Sequence, residues 1–222
     1  MMNVNGELVL RISPETCKIT VEEQNGPIMS RKEISANALF SCLRESVRID
    51  GMESGLLPPD CLAITQTPQR QKLVTRCAID YMDISFYETT YPHFPLPRLV
   101  IGYTIEDSGR VSDCRLGVMA DERPRPETPM YHYPFSNVGS SGHLCIGNNE
   151  LPCYKSLYKA ATLPALLLSI PNNLHQYDKK LNQLGLEYRD LLAHLQDKTP
   201  AYYYEKVLIK NGKTLADFIA GK

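Results

Sequence analysis

The sequence predicts an α+β fold. Three observations carry that reading: short runs of two-residue alternation at the start and in the middle of the chain, a helix-spaced apolar stripe after residue 30, and a change to helical spacing after Cys153. Leu8, Leu10 and Ile12 alternate with Val9 and Arg11, and Ile19 and Val21 alternate with polar neighbours beyond a Ser-Pro-Glu-Thr break, so a hairpin opens the chain. Ser30 and Glu33 have capping-box spacing, and Ile34, Ala38, Leu39, Cys42 and Leu43 share one helical face, which predicts a first helix from about Arg31 to Arg48.

A Gly/Pro connector, Gly51 to Pro59, leads to four β-like runs: Leu62 to Thr67, Lys72 to Asp80, Leu99 to Ile105 and Val111 to Met119. Glu-Asp-Ser-Gly-Arg joins the last two as a hairpin turn, and together they predict an antiparallel meander. Tyr91 to Pro97 and Arg123 to Pro129 read as proline-broken loops. Leu157, Tyr158 and Ala161 then suggest a helix that Pro164 restarts and Pro171 stops. Leu181, Leu184, Tyr188, Leu191, Leu192 and Leu195 form a longer stripe that closes near Lys198, before Pro200. Val207 to Ile209 predict a short strand, and Asn211-Gly212 turn into a last helix around Leu215 to Ile219.

With 222 residues, 43% of them apolar, the chain can bury one good core or two small ones. Twenty-four basic residues against 25 acidic ones leave no footprint for a phosphate backbone. The seven cysteines, Cys17, Cys42, Cys61, Cys77, Cys114, Cys145 and Cys153, are odd in number and sit singly in apolar patterns, as buried thiols do. No leader or membrane-spanning run is evident, and the composition suits the reducing cytoplasm.

Chemistry concentrates in "YHYPFSNVGSSGHLCIGNNELPC", Tyr131 to Cys153, a stretch too rich in breakers for a helix or a central strand. Cys145, between Gly142 and Gly147, is a candidate nucleophile, with Cys153 close behind; either thiol also has the size of a small apolar filler. Asn137 can donate to a developing oxyanion or cap its own turn. His132, His143 and His175 are possible bases. His143, Cys145 and Cys153 could supply three zinc ligands, but no Cys-x-x-Cys knuckle completes a structural site, and the deaminase signature fails because Cys145 stands where its Glu belongs. The glycines do not fit a phosphate-binding loop.

In ubiquitin-conjugating enzymes a His-Pro-Asn tripeptide precedes the thioester-forming cysteine, with its Asn eight positions before that cysteine and a glycine three before it. Asn137 and Gly142 stand at those offsets from Cys145, while the tripeptide reads Phe135-Ser136-Asn137. The block "RPRPETPMYHYPFSNVGSSGHLCIGNNELP", Arg123 to Pro152, resembles a bacterial branch of the superfamily, prokaryotic family D, which includes protein B of the PRTRC plasmid systems. Weaker likeness extends to "LLPPD", "PQRQKLV", "LLLSIPNNLH" and "LIKNGKTLADFI".

The resemblance implies a UBC-like fold: an N-terminal helix, a four-stranded antiparallel meander and C-terminal helices, here with an extra N-terminal β-hairpin. Residues 1–30 would be that extension and residues 31–222 the catalytic domain. It also implies a carrier that accepts a ubiquitin-like modifier from a ThiF-like activating enzyme onto Cys145 and passes it to an amine, in a pathway with a JAB-type isopeptidase. No metal or cofactor is required, and the setting is antiphage defence or a plasmid-associated operon. Asn137 would stabilise the tetrahedral intermediate or brace the loop, and His175 matches a downstream histidine of related proteins that can replace the missing tripeptide histidine. Two alternatives remain: a non-catalytic scaffold that holds ubiquitin-like partners, and a cysteine hydrolase using Cys145 and His175, with Asp178 or Asn172 orienting the ring.

Overall fold

A computed structural model describes residues 7–13, 15–16, 18–25, 28–46, 54–67, 69–120 and 123–222. Pro14, Cys17, the expected helix end at Val47 and Arg48, and the start of the connector, Gly51 to Glu53, lie outside the described residues, as do residues 1–6. Contacts group the described residues into two compact units, one within Met1–Glu53 and one within Ser54–Lys222.

In the first unit β1 (Glu7–Ile12), β2 (Ile19–Asn25) and β3 (Ile28–Ile34) form an antiparallel sheet in that order, followed by α1 (Ala36–Ser46). The expected helix start is corrected here. Arg31 to Ile34 pair with β2, and the helix begins where the Ser35 hydroxyl accepts a hydrogen bond from the Ala38 amide at 3.1 Å. Ser30 and Glu33 have the spacing of a cap, but Ile28 to Ile34 pair along their whole length with a neighbouring strand, and that ladder overrides the local signal.

The second unit is built on β4 (Cys61–Thr67), β5 (Arg70–Cys77), β6 (Tyr81–Phe86), β7 (Thr89–Pro95), β8 (Leu99–Glu106), β9 (Val111–Met119) and β10 (Pro129–Tyr131). After them come α2 (Leu163–Leu168), α3 (Tyr188–Leu195), α4 (Pro200–Lys206), β11 (Lys210–Thr214) and α5 (Leu215–Ala220). The main sheet has six antiparallel strands in the order β11-β10-β9-β8-β5-β4, and β6 pairs with β7 in a separate hairpin.

Strand alternation gives this sheet two buried faces. Leu73, Leu99, Ile101, Tyr103, Leu116 and Val118 join one core with Leu163, Leu167, Tyr188, Leu191, Leu192 and Tyr203. Val74, Val100, Met119 and Met130 face the other way, against Leu215, Phe218 and Ile219. Phe218 of α5 fits where Gly117 has no side chain: a Cβ there would meet the Met130 methyl at 2.6 Å and the Phe218 ring at 3.1 Å. Each fully buried Leu of α3 contributes about 2 kcal/mol, and Leu191, Leu192 and Leu195 are all fully buried.

The expected α+β, UBC-like arrangement of an N-terminal helix, a four-stranded meander and C-terminal helices is overturned. The described residues are mostly β, 39% strand against 22% helix. The four runs are strands, but two further strands, β10 and β11, extend the sheet, a hairpin is inserted between β5 and β8, and α1 belongs to the first unit. Part of the reason is proline placement. The segment read as a loop at Tyr91 to Pro97 supplies most of β7, whose partner among the described residues is β6 alone, and Pro92 falls at the irregularity of that pairing, where no ladder donor is needed. The long helix expected from Leu181 is shorter for a different reason. The Asn182 carboxamide oxygen accepts from the Leu184 and Gly185 amides, Gly185 takes φ +61°, and the helix starts only at Tyr188. The strand expected at Val207 to Ile209 is displaced to β11, because the Val207 and Leu208 amides both donate to the Tyr203 carbonyl and close the end of α4.

Candidate functional site

The segment from Asn137 to Cys145 folds into a tight antiparallel hairpin. The Cys145 amide donates to the Asn137 carbonyl at 2.8 Å, the Gly139 amide to the His143 carbonyl at 3.0 Å, and the Gly142 amide to the Gly139 carbonyl at 2.8 Å. Val138 is thereby paired with Leu144. The eight-residue interval between Asn137 and Cys145 is therefore a hairpin register, which sets the two residues opposite one another. Gly142 is required twice over: its φ is +85°, and a Cβ would lie 3.2 Å from the Leu116 carbonyl.

The outer strand of this hairpin also pairs with β9. The Leu116 amide donates to Gly142, the Leu144 amide donates to Cys114, and Arg115 stands opposite His143. The hairpin thus continues the edge of β9 that β10 occupies further along. Alternation turns Leu144 towards the core and its neighbours His143 and Cys145 the other way. Cys145 is partly exposed, and Cys153 is exposed beside the Tyr154 amide, which donates to the Gly109 carbonyl.

Behind the hairpin lies a brace, Pro171 to Gln176. Asn137 is 5% exposed and holds φ +64°, a region that Asn tolerates better than most residues. Its amide donates to the His175 carbonyl at 3.1 Å, and its side-chain Nδ2 donates to the Pro171 carbonyl at 3.0 Å. The His175 ring is exposed, and the contacts of that residue run through its backbone: its carbonyl to Asn137 and its amide to Asn173 Oδ1. Asn172, considered above as an orienting partner, is committed elsewhere. Its Oδ1 accepts from the Ser136 hydroxyl at 3.0 Å and the Tyr188 hydroxyl at 2.9 Å, and its Nδ2 donates to the Ser85 carbonyl at 3.3 Å. Asp178 accepts from the Lys180 amide.

Each residue of the Phe135-Ser136-Asn137 tripeptide has its own anchor. Phe135 packs edge-on to Phe94, Tyr133 and Tyr203, Ser136 bonds Asn172, and Asn137 bonds Pro171. Tyr188, packed in the core with its hydroxyl on Asn172, is held above the ordinary tyrosine range by burial. One residue beside the site was not foreseen. Asp113 Oδ1 lies 3.3 Å from His143 Nδ1 and 3.2 Å from Arg115 Nε. The signal was an acidic residue inside the apolar alternation of Val111 to Met119, where β-propensity disfavours it. His132 is separated from this cluster in its bonding: its amide donates to Ile209, and burial, aided by the charge of Lys213, holds its ring below the ordinary histidine range.

Among the described residues no group of three His, Cys, Asp or Glu side chains is arranged to hold a metal, and no helix is long and apolar enough to cross a membrane. Compared with known proteins, the chain matches no curated protein and no solved structure. The family model described as prokaryotic E2 family D matches residues 39–210, which include the hairpin, the brace and every strand of the main sheet but β11, of which the match reaches only Lys210. With more than half of its length inside that match, the chain belongs to prokaryotic E2 family D.

Proposed function

We propose that this protein carries a ubiquitin-like modifier as a thioester on Cys145 and passes it to an amine. Membership of the family supports a conjugation-related, transferase-type role that engages ubiquitin-like modifiers and their activating enzymes. The observation that carries the finer reading is the hairpin register, which sets a partly exposed Cys145 opposite an Asn137 clamped at its backbone amide and its side chain. A thiol suits the task because its thiolate both attacks an activated carbonyl and leaves from one, so activation is preserved until the amide forms. Asn137 acts as a brace in this reading, since its side-chain amide is committed to Pro171.

The test is reconstitution with a ThiF-like activating enzyme, a ubiquitin-like modifier protein and ATP, followed by mass spectrometry. The expected product is an adduct on Cys145 that reducing agent removes and Cys145→Ala lacks. An adduct on Cys153 in its place, or none on either thiol, refutes the assignment.

A further inference from the structure

We propose that His143, oriented by Asp113, is the base that takes the proton from the attacking amine when the acyl group leaves Cys145; the proposal rests on the carrier reading above. Three observations converge on it. First, His143 and Cys145 flank Leu144 on one extended strand, and Leu144 packs against the core, so imidazole and thiol share the outward face. Second, β9 carries a bulge at this point. Gly102 pairs with Arg115 and Thr104 with Ser112, which leaves Asp113 and Cys114 together opposite Tyr103. Asp113 holds φ +49° there, and its carboxylate reaches His143 on the adjoining strand. Bulges re-aim side chains next to active sites, and a left-handed aspartate is strain that the surroundings must hold. Third, the contact is made through Nδ1. A proton kept on Nδ1, towards that carboxylate, leaves Nε2 as the lone pair that receives one. The other charges around the ring are Arg115, whose guanidinium lies on the same carboxylate, and Lys72 of β5, which is in electrostatic contact with both Arg115 and Asp113.

In the step itself the amine nitrogen attacks the thioester carbonyl, the C–N bond forms, and the C–S bond breaks with its electron pair on Cys145. His143 Nε2 accepts the proton that nitrogen loses, and the imidazolium returns it to the departing thiolate. Amine and thioester become amide and thiol, with the base regenerated.

The full chain is acylated with the N-acetylglycyl thioester of 2-mercaptoethanesulfonate, and peptide mapping follows the Cys145 adduct as it discharges to free lysine or to hydroxylamine. Both nitrogens shed a proton as the amide forms, but the lysine amine is also protonated at neutral pH, so its transfer depends on a base more strongly than that of the largely neutral hydroxylamine. The ratio of lysine to hydroxylamine rates is expected to fall about tenfold or more in His143→Gln and in Asp113→Asn. Added imidazole is expected to restore it in His143→Ala, which a purely structural defect would not allow. An unchanged ratio in His143→Gln overturns the proposal, and so does an equal loss with both nucleophiles. Absence of any Cys145 adduct in the parent chain removes the carrier reading and this proposal together; loading followed by a ratio indifferent to His143 removes this one alone.

Discussion

The hairpin from Asn137 to Cys145 and the brace from Pro171 to Gln176 are both breaker-rich loops with a residue at positive φ, yet they contribute in opposite ways. The hairpin sends side chains outward, His143 and Cys145 among them. The brace contributes chiefly backbone: the Pro171 and His175 carbonyls receive the two donors of Asn137, while its one deeply committed side chain, Asn172, points into the core. A loop of this kind is fixed by completing its hydrogen bonds one by one, because isolated bridges and not a continuous ladder tie it to β9. The side chains that do chemistry need not be those that hold the loop.

The largest expected effect comes from Asn172→Ala. It strands the Ser136 and Tyr188 hydroxyls in a buried site, and the cost is about 3 kcal/mol in urea unfolding. A loss under about 1 kcal/mol would mean that the brace does not depend on this network. Next is the contrast between two thiols on neighbouring strands. Burial pushes Cys114 up to about 11, whereas Cys145 is partly exposed. At pH 8 iodoacetamide should therefore modify Cys145 roughly 100-fold faster than Cys114, and comparable rates by peptide mapping would contradict the outward presentation of the hairpin strand. The same shift fixes a sign. The folded state keeps a Cys114 proton that the unfolded chain gives up near pH 9, so stability is expected to fall as pH rises from about 9 towards 11. Thermal melting across that range reads it, and a rising midpoint would contradict it.

Asn137→Ala should cost about 2 kcal/mol, since the Pro171 carbonyl loses its donor and an alanine inherits φ +64°. The smallest effect is expected for His175→Ala. It keeps the carbonyl that Asn137 uses, so the stability change should stay within about 0.5 kcal/mol. A cost equal to that of Asn137→Ala would show that the His175 ring, and not its backbone alone, holds the brace.

Much of the strand inventory was legible from alternation. Leu62 to Thr67, Leu99 to Ile105 and Val111 to Met119 fall where β4, β8 and β9 lie, and the last helix falls at α5. The misreadings share a cause. Ser30 and Glu33 have helix-start chemistry inside a paired strand, the leucines before Tyr188 keep helical spacing across a glycine turn, and the prolines after Tyr91 sit in a two-stranded hairpin. In each case pairing or turn geometry outweighed a local preference worth less than a hydrogen bond.

The sequence alone determined the interval between Asn137 and Cys145, the glycine that allows the turn between them, and the family to which that block points, because spacing within a hairpin is a local property. It could not determine which distant groups would meet there. The Pro171 carbonyl, the Asn172 network and the Asp113 carboxylate reach the hairpin only because β9 bulges beside it and the brace is carried back behind it. Those encounters depend on sheet register and chain return, quantities that no short stretch of residues encodes, and tertiary packing alone decided them.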